Sequence, residues 1–389
     1  AQWEPLVPKT TITYYGNGGV GSNSESHFTD GPYPNNTTIT LRGEDTFSRD
    51  GYYFTGWNTA ENGSGSAFAA GASVILDNKD ANTLYAQWQK CTPVEFTGEI
   101  NSKVYNGEEQ SLTGITHNLP QGYTYEGLTY EAKGTNAGIY NGAFSGTLVI
   151  KNSNGKDVTH QFSVTKTPGT LTITKRDITV SVADAPDVEY DGNEHTGETQ
   201  YTFSNVVSGQ DATITYTPAK GTLVGTYTGS YGDDLKVMAG EADVTGNYNL
   251  TSKTPGKLTI TDREEKYEIT VVAKSNTGNV YDGDEKSAVG FETLTFTVEG
   301  NTYTVSGLTT SDPKSTNVAT LTNAITGTAV VKDANNNDVT AQFDVKTQNG
   351  TLEITKRDIT VSVADAPDVE YDGNEHTGET QYTFSNVVS

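Results

Sequence analysis

One cysteine, Cys91, and one methionine are all the sulfur that 389 residues contain. A lone thiol excludes an internal disulfide framework and any cysteine-built metal cluster. Basic residues are scarce beside acidic ones, 25 against 49, for a formal net charge of −24. A surface that acidic repels phosphate backbones and anionic headgroups, which removes nucleic acid and bare membrane from the partners. No apolar run approaches the roughly 20 residues that cross a bilayer as a helix, so no membrane insertion is expected in this segment. No export signal or wall anchor is visible, but both ends read as cuts through a longer array, so that carries no information. Helical periodicity is also missing. The five histidines, His27, His117, His160, His195 and His376, include no pair at ligand spacing. No Gly-Xaa-Ser-Xaa-Gly elbow and no phosphate-cradling loop is present, and the carboxylates are scattered on turns. The expectation is a protein that is not an enzyme.

What the chain does have is repetition. Residues 173–208 recur without a change as residues 354–389, and Ala1-Gln2-Trp3 reappears as Ala86-Gln87-Trp88. Identity over that length is a tandem duplication, and arrays mean architecture before chemistry. Three stretches share landmarks in the same order. Each has Tyr-Asx-Gly near its start, at Tyr105, Tyr190 and Tyr281, and residues 354–389 supply Tyr371. Each has Asp-Val-Thr late on, at Asp157, Asp243 and Asp338, and each closes on Leu-Xaa-Ile-Thr. Asx-Gly predicts a tight turn with positive φ at the glycine. Leu171 with Ile173, Leu258 with Ile260, and Leu352 with Ile354 predict a closing strand with one buried face. Asp-Val-Thr follows turn residues and reads as the far arm of a hairpin. Tyr outnumbers Phe by 22 to 12, so small cores rich in aromatic rings are expected.

The run GYYFTGWNTAENGSGSAFAAGASVIL, followed by TLYAQW, resembles the Listeria–Bacteroides repeat, the B-repeat type of internalin-like surface proteins. Gly51, Gly56, Trp57, Gly71, Tyr85 and Trp88 fall in that family's order. The resemblance implies a β-grasp-like domain on an extracellular bacterial protein. Read from chemistry alone, Trp57 and Trp88 belong to its core. From residue 92 on, the Tyr-Asp-Gly spacing and LTITKRDITV are similar to the MBG/YDG-type repeats of bacterial surface adhesins.

The expected fold class is mainly β, an elongated tandem array of small domains. The first is β-grasp-like, the others β-grasp or Ig-like sandwich. The divisions are 1–3, a remnant of a preceding repeat; 4–91; 92–176; 177–263; 264–357; and 358–389, a truncated copy of 177–208. The last should pair with a neighbouring edge or another molecule, unless Asp358 to Asp365 is instead the final strand of the preceding repeat. The junctions Lys175-Arg176-Asp177, Asp262 to Lys266, and Lys356-Arg357-Asp358 are short and charged, which favours a semi-rigid rod.

No catalytic or cofactor-binding residue is expected. Calcium is the one cofactor given weight, because hard oxygen ligands cluster at Asp184, Asp187, Asp191, Asp333 and Asp338, although the EF-hand pattern is missing. Intramolecular isopeptide bonds would draw on Asp157, Asp243 and Asp338, but no lysine holds a matching first-strand position, Lys103 and Lys274 included. The resulting expectation is a repetitive stalk segment of a bacterial cell-surface adhesin, wall-anchored through regions outside this stretch, that projects a distal binding domain. The alternative is that the repeats themselves bind host mucin glycan or a surface protein, using exposed tyrosines such as Tyr123, Tyr125 and Tyr130.

Overall fold

The computed structural model describes residues 8–76 and 83–389; the remnant expected at 1–3 lies outside them. The protein is mainly β, built of many small sheets, with no α-helix among the described residues. It divides into two compact units. One holds residues 1–177 with 207–210 and 238–249; the other holds 178–206, 211–237 and 250–389.

In the first unit, alternation in Lys9–Tyr15 (KTTITYY) turns Thr10, Ile12 and Tyr14 inward. That strand lies parallel to Thr83–Lys90 at the centre of a five-stranded sheet. His27–Pro34 flanks it antiparallel on one side, and Tyr52–Asn58 pairs antiparallel with Thr83–Lys90 on the other. A central parallel pair with antiparallel flanks is the strand arrangement of a β-grasp sheet. Ile12, Tyr14, Leu41, Phe47, Leu76, Leu84 and Ala86 form the core around Trp57. Trp57 is buried, as expected, and its ring N–H donates to the Arg42 carbonyl at 2.9 Å. Trp88 is half-buried and donates to the Gly16 carbonyl at 2.8 Å. An indole inside a small core must place its one polar atom on a backbone acceptor, and both do.

Residues 92–176 introduce a pattern that also occurs in the second unit. Thr92–Gly98 runs parallel to Phe162–Thr167, and Asn101–Val104 runs parallel to Thr170–Thr174. In the second unit Tyr267–Val272 runs parallel to Phe343–Gln348, and Asn276–Val280 to Gly350–Thr355. Parallel neighbours need a long crossover, here nearly a whole repeat. The closing strand is the central member of its sheet, so Leu171, Ile173, Leu258, Ile260, Leu352 and Ile354 are all buried.

Asp-Val-Thr sits on a hairpin arm: Lys151 bridges Asp157, Lys332 bridges Asp338, and Met238 pairs with Asp243. The Asp157 carboxylate accepts both the N–H (2.9 Å) and the hydroxyl (2.7 Å) of Thr159, and Asp338 does the same for Thr340. The threonine oxygen then accepts the Ile150 N–H, or the Val331 N–H. This local wiring bends the chain into the 3-10 turns Thr159–Gln161 and Thr340–Gln342, with a third at Thr245–Asn247.

Residues 358–389 do not pair with a neighbouring edge, nor do they close the preceding repeat. Thr360–Val363 folds onto Tyr382–Ser385 as a two-stranded hairpin. The first copy makes the same hairpin, Arg176–Val182 with Tyr201–Ser204, so this pairing is set by residues close along the chain.

Candidate functional site

The aspartates named as calcium candidates are not brought together. Asp184 accepts the Lys257 N–H at 2.8 Å. Asp191 accepts the Asn193 N–H at 2.8 Å and lies 2.9 Å from His195 Nε2. Asp333 accepts the N–H groups of Asn335 and Asn337 at 2.9 and 2.7 Å, while Asp187 is exposed. The Thr340 hydroxyl and N–H hold the Asp338 carboxyl below the usual carboxylate range. The Asp191, Asp333 and Asp338 oxygens serve local turns and Asp184 holds a strand far along the chain, and among the described residues no three His, Cys, Asp or Glu side chains are grouped to hold a metal ion. The isopeptide candidates Asp157, Asp243 and Asp338 are likewise at the surface, outside any core.

Tyr123, Tyr125 and Tyr130 do not form an exposed binding face. Tyr130 is buried, Tyr123 packs on Phe162 with ring centroids 5.1 Å apart, and Tyr125 meets Phe96 at 4.9 Å. In a chain short of Leu and Phe, these rings are needed for packing. Burial, and then Asp50, push the Cys91 thiol up, so it is protonated at neutral pH and a poor nucleophile.

The arrangement that the structure builds most consistently joins one repeat to the next. In the first unit Tyr105, of the Tyr-Asx-Gly landmark, is buried. Its ring meets Tyr248 edge-on at 5.4 Å, and its hydroxyl accepts the Gln210 side-chain N–H at 3.0 Å. Tyr248 donates to Gln210 Oε1 at 2.7 Å and accepts the Val207 N–H. Asn247, delivered by its 3-10 turn, accepts the Ala137 N–H at 2.6 Å and donates to Asn136 at 2.9 Å. Arg176, from the charged junction, donates to the Tyr105 carbonyl at 3.4 Å.

The second unit repeats the device with different letters. Tyr190 is buried with its hydroxyl 3.4 Å from that of Tyr303, and burial pushes its phenol far above the ordinary range. Arg263 donates to the Tyr190 carbonyl at 3.0 Å and lies over the Tyr267 ring at 4.1 Å. Gln342, at the position of Asn247, accepts the Arg263 N–H and donates to Asp262. Arg357 donates in turn to the Tyr281 carbonyl at 3.4 Å and to Asn386. The clasp thus combines a tyrosine carbonyl, a junction arginine, and an amide or hydroxyl from the next repeat. Desolvated aromatic contact supplies its energy, and the arginine satisfies a carbonyl that packing would otherwise strand.

From the sequence these arginines read only as part of short charged junctions. The available signal is the pairing of the Tyr-Asx-Gly at Tyr105, Tyr190 and Tyr281 with an arginine 71, 73 and 76 residues later. Spacing that long leaves no mark in any periodicity window.

Residues 11–87 match the Listeria-Bacteroides repeat domain family model. A protein of Evansella cellulosilytica named as a Gly-rich membrane protein is 34% identical over 93 residues, covering 23% of this chain and 11% of its own length. A second from the same organism, named as a membrane protein, is 44% identical over 50 residues, covering 13% and 7%. This chain therefore spans about a tenth of those relatives or less. Among solved structures, the N-terminal eight Ig domains of Down Syndrome Cell Adhesion Molecule align over 94% of this chain and 50% of that one. Identity is 10% and the TM-score 0.16, too low to carry an argument. By these comparisons the first repeat, at residues 11–87, is similar to the Listeria-Bacteroides repeat domain family.

Proposed function

We propose that this chain is a non-catalytic stalk segment of a bacterial cell-surface adhesin, spacing a distal binding domain away from the cell. The observation that carries the reading is the clasp. The tyrosine-carbonyl-to-arginine contact recurs within each repeat at Tyr105, Tyr190 and Tyr281, and the following residues pack onto the same place through Gln210 and Tyr248, through Tyr303, and through Asn386, as a protein built for reach needs. The match of residues 11–87 and the membrane-protein names of the relatives support a surface location. The burial of Tyr130 and the packing of Tyr123 and Tyr125 weigh against the repeats as a glycan-binding face.

Small-angle scattering tests the stalk. A compact protein of this length has a radius of gyration of about 21 Å. Repeats of about 33 Å placed end to end give roughly double that. The larger value is expected, and the compact one would falsify the proposal.

A further inference from the structure

Asn-Gly occurs six times, at Asn17, Asn62, Asn106, Asn141, Asn154 and Asn349. An asparagine before glycine is open to attack on its side chain by the next backbone nitrogen, because glycine has no Cβ to block the approach. At five of the six the structure holds the groups that must move. The Glu61 and Ala86 carbonyls each accept the Asn17 side-chain N–H at 2.9 Å. The N–H groups of Gly63, Gly142 and Gly155 donate to the Ala60, Gly169 and Asn152 carbonyls at 3.0, 3.0 and 2.9 Å. Asn349 Oδ1 accepts the Ile325 N–H at 2.9 Å, and Gly350 is buried in the strand Gly350–Thr355.

Asn106-Gly107 differs. Asn106 is exposed, and among the described residues neither its side-chain nitrogen nor the Gly107 N–H donates a hydrogen bond. Asn106 Oδ1 accepts the Glu108 N–H at 3.0 Å. That donor draws electrons from Cγ and steadies the negative charge that builds on the oxygen during attack. The same turn occurs at Asp191, Asp282 and Asp372, each accepting the N–H two residues on. There a histidine or lysine stands four residues on and meets the carboxylate, His195 at 2.9 Å, Lys286 at 2.7 Å and His376 at 2.9 Å. Gln110 holds that place after Asn106 and donates to the Val104 carbonyl instead. An ionised carboxylate resists a nucleophile, whereas the neutral amide of Asn106 does not.

We propose that Asn106-Gly107 is a self-modification site set in the joint between residues 92–176 and 177–263. The Gly107 nitrogen bonds to Asn106 Cγ as the Cγ–Nδ2 bond breaks. The Gly107 proton leaves with that side-chain nitrogen as ammonia, and a succinimide ring closes. Water then opens the ring. Opening at the side-chain carbonyl gives aspartate, the residue that the same turn carries at Asp191. Opening at the main-chain carbonyl gives isoaspartate, which routes the backbone through Cβ and lengthens it by one carbon. The clasp leaves little room for that carbon, since a Cβ built on Gly107 would already lie 3.0 Å from Val207 Cγ1 and 3.2 Å from Gln210 Nε2. Gln210 is the side chain that links Tyr105 to Tyr248. Isoaspartate therefore loosens the joint, and aspartate leaves it closed. The reaction proceeds whether or not the chain serves as a stalk.

The test keeps the full chain warm at mildly alkaline pH, native or in urea, and maps its peptides over time. Electron-transfer mass spectrometry separates aspartate from isoaspartate. In the native chain Asn106 is expected to convert about fivefold or more faster than each of the other five, the margin that one hydrogen bond on a reacting group confers. In urea the six rates should draw together. Hydrogen exchange then compares the aged chain with Asn106→Asp. Exchange across 207–210 is expected to quicken by about fivefold or more in the isoaspartyl chain and to keep the unaged rate in Asn106→Asp. Native conversion at Asn106 no faster than at the other five, or a lead that persists unchanged in urea, overturns the site. Isoaspartyl chains that exchange across 207–210 no faster than Asn106→Asp overturn its effect on the joint.

Discussion

Residues 173–208 and 354–389 are one sequence in two surroundings. The hairpin register is the same in both: Val180 faces Phe203 as Val361 faces Phe384. The turn is the same, with the aspartate of Tyr-Asp-Gly accepting the N–H two residues on and the histidine ring nitrogen at 2.9 Å. Beyond these, the copies diverge. Tyr190 is 1% exposed and Tyr371 96%; the 188–189 and 195–196 strands form only in the first. Short-range hydrogen bonding travels with the letters, whereas burial and parallel pairing depend on what the rest of the chain brings alongside.

The comparison can be broken most sharply at the tyrosine. Tyr190→Ala should destabilise the unit that holds it by about 3–5 kcal/mol, the range for deleting a buried aromatic ring. Tyr371→Ala should stay within about 0.5 kcal/mol, as exposed substitutions do. Urea unfolding followed by exchange in residues 250–357 reads both, and equal losses would erase the distinction between the copies. A smaller effect is expected at the adjoining glycine. Gly192 and Gly373 have φ of +80° and +82°, so alanine strains either by about 1–2 kcal/mol. Only at Gly192 would the new Cβ also meet a neighbour, Tyr303 Oη at 2.3 Å, whereas Gly373 has nothing within 4 Å. Gly192→Ala should therefore cost about 1–3 kcal/mol more than Gly373→Ala.

Tetranitromethane should nitrate Tyr371 and leave Tyr190 unmodified until the protein unfolds, as tryptic mass mapping will show. The smallest effect should be shared. Burial pushes the Asp191 carboxyl up, but hydrogen bonds from Asn193 and His195 outweigh it and leave it below the usual range. Asp372 is also low, chiefly through the Asn374 N–H. A lowered carboxyl stabilises the fold at pH above its unfolded value, near 3.9, and that contribution fades as pH falls through the folded value. Carboxyl-carbon NMR titration should find both aspartates below the ordinary range. A normal Asp372 beside a low Asp191 would mean that the turn needs its surroundings after all.

Much of the fold is legible in the sequence because it is written locally. Leu171, Ile173 and their counterparts alternate, Trp57 sits in a core that needs it, and the Asx-Gly turns have glycine φ between +80° and +85°. The parallel pairing of Thr92–Gly98 with Phe162–Thr167 is not legible, since alternation tells which face is buried and not which strand lies alongside. The clasp is hidden for the same reason, its arginines being far along the chain from the tyrosines they serve. Tyr123 and Tyr125 mislead because tyrosine is at home both in a core and at a surface. The calcium candidates cluster along the sequence, yet Asp184 and Asp191 turn to the backbone, the nearest donor available.

The parallel pairs have a mechanical consequence. Where an opening strand lies parallel to a late one, as Thr92–Gly98 does with Phe162–Thr167 and Tyr267–Val272 does with Phe343–Gln348, tension on the two ends slides the strands past each other. All rungs between them then bear load together and must fail together. An antiparallel hairpin pulled from its open end would instead unzip rung by rung.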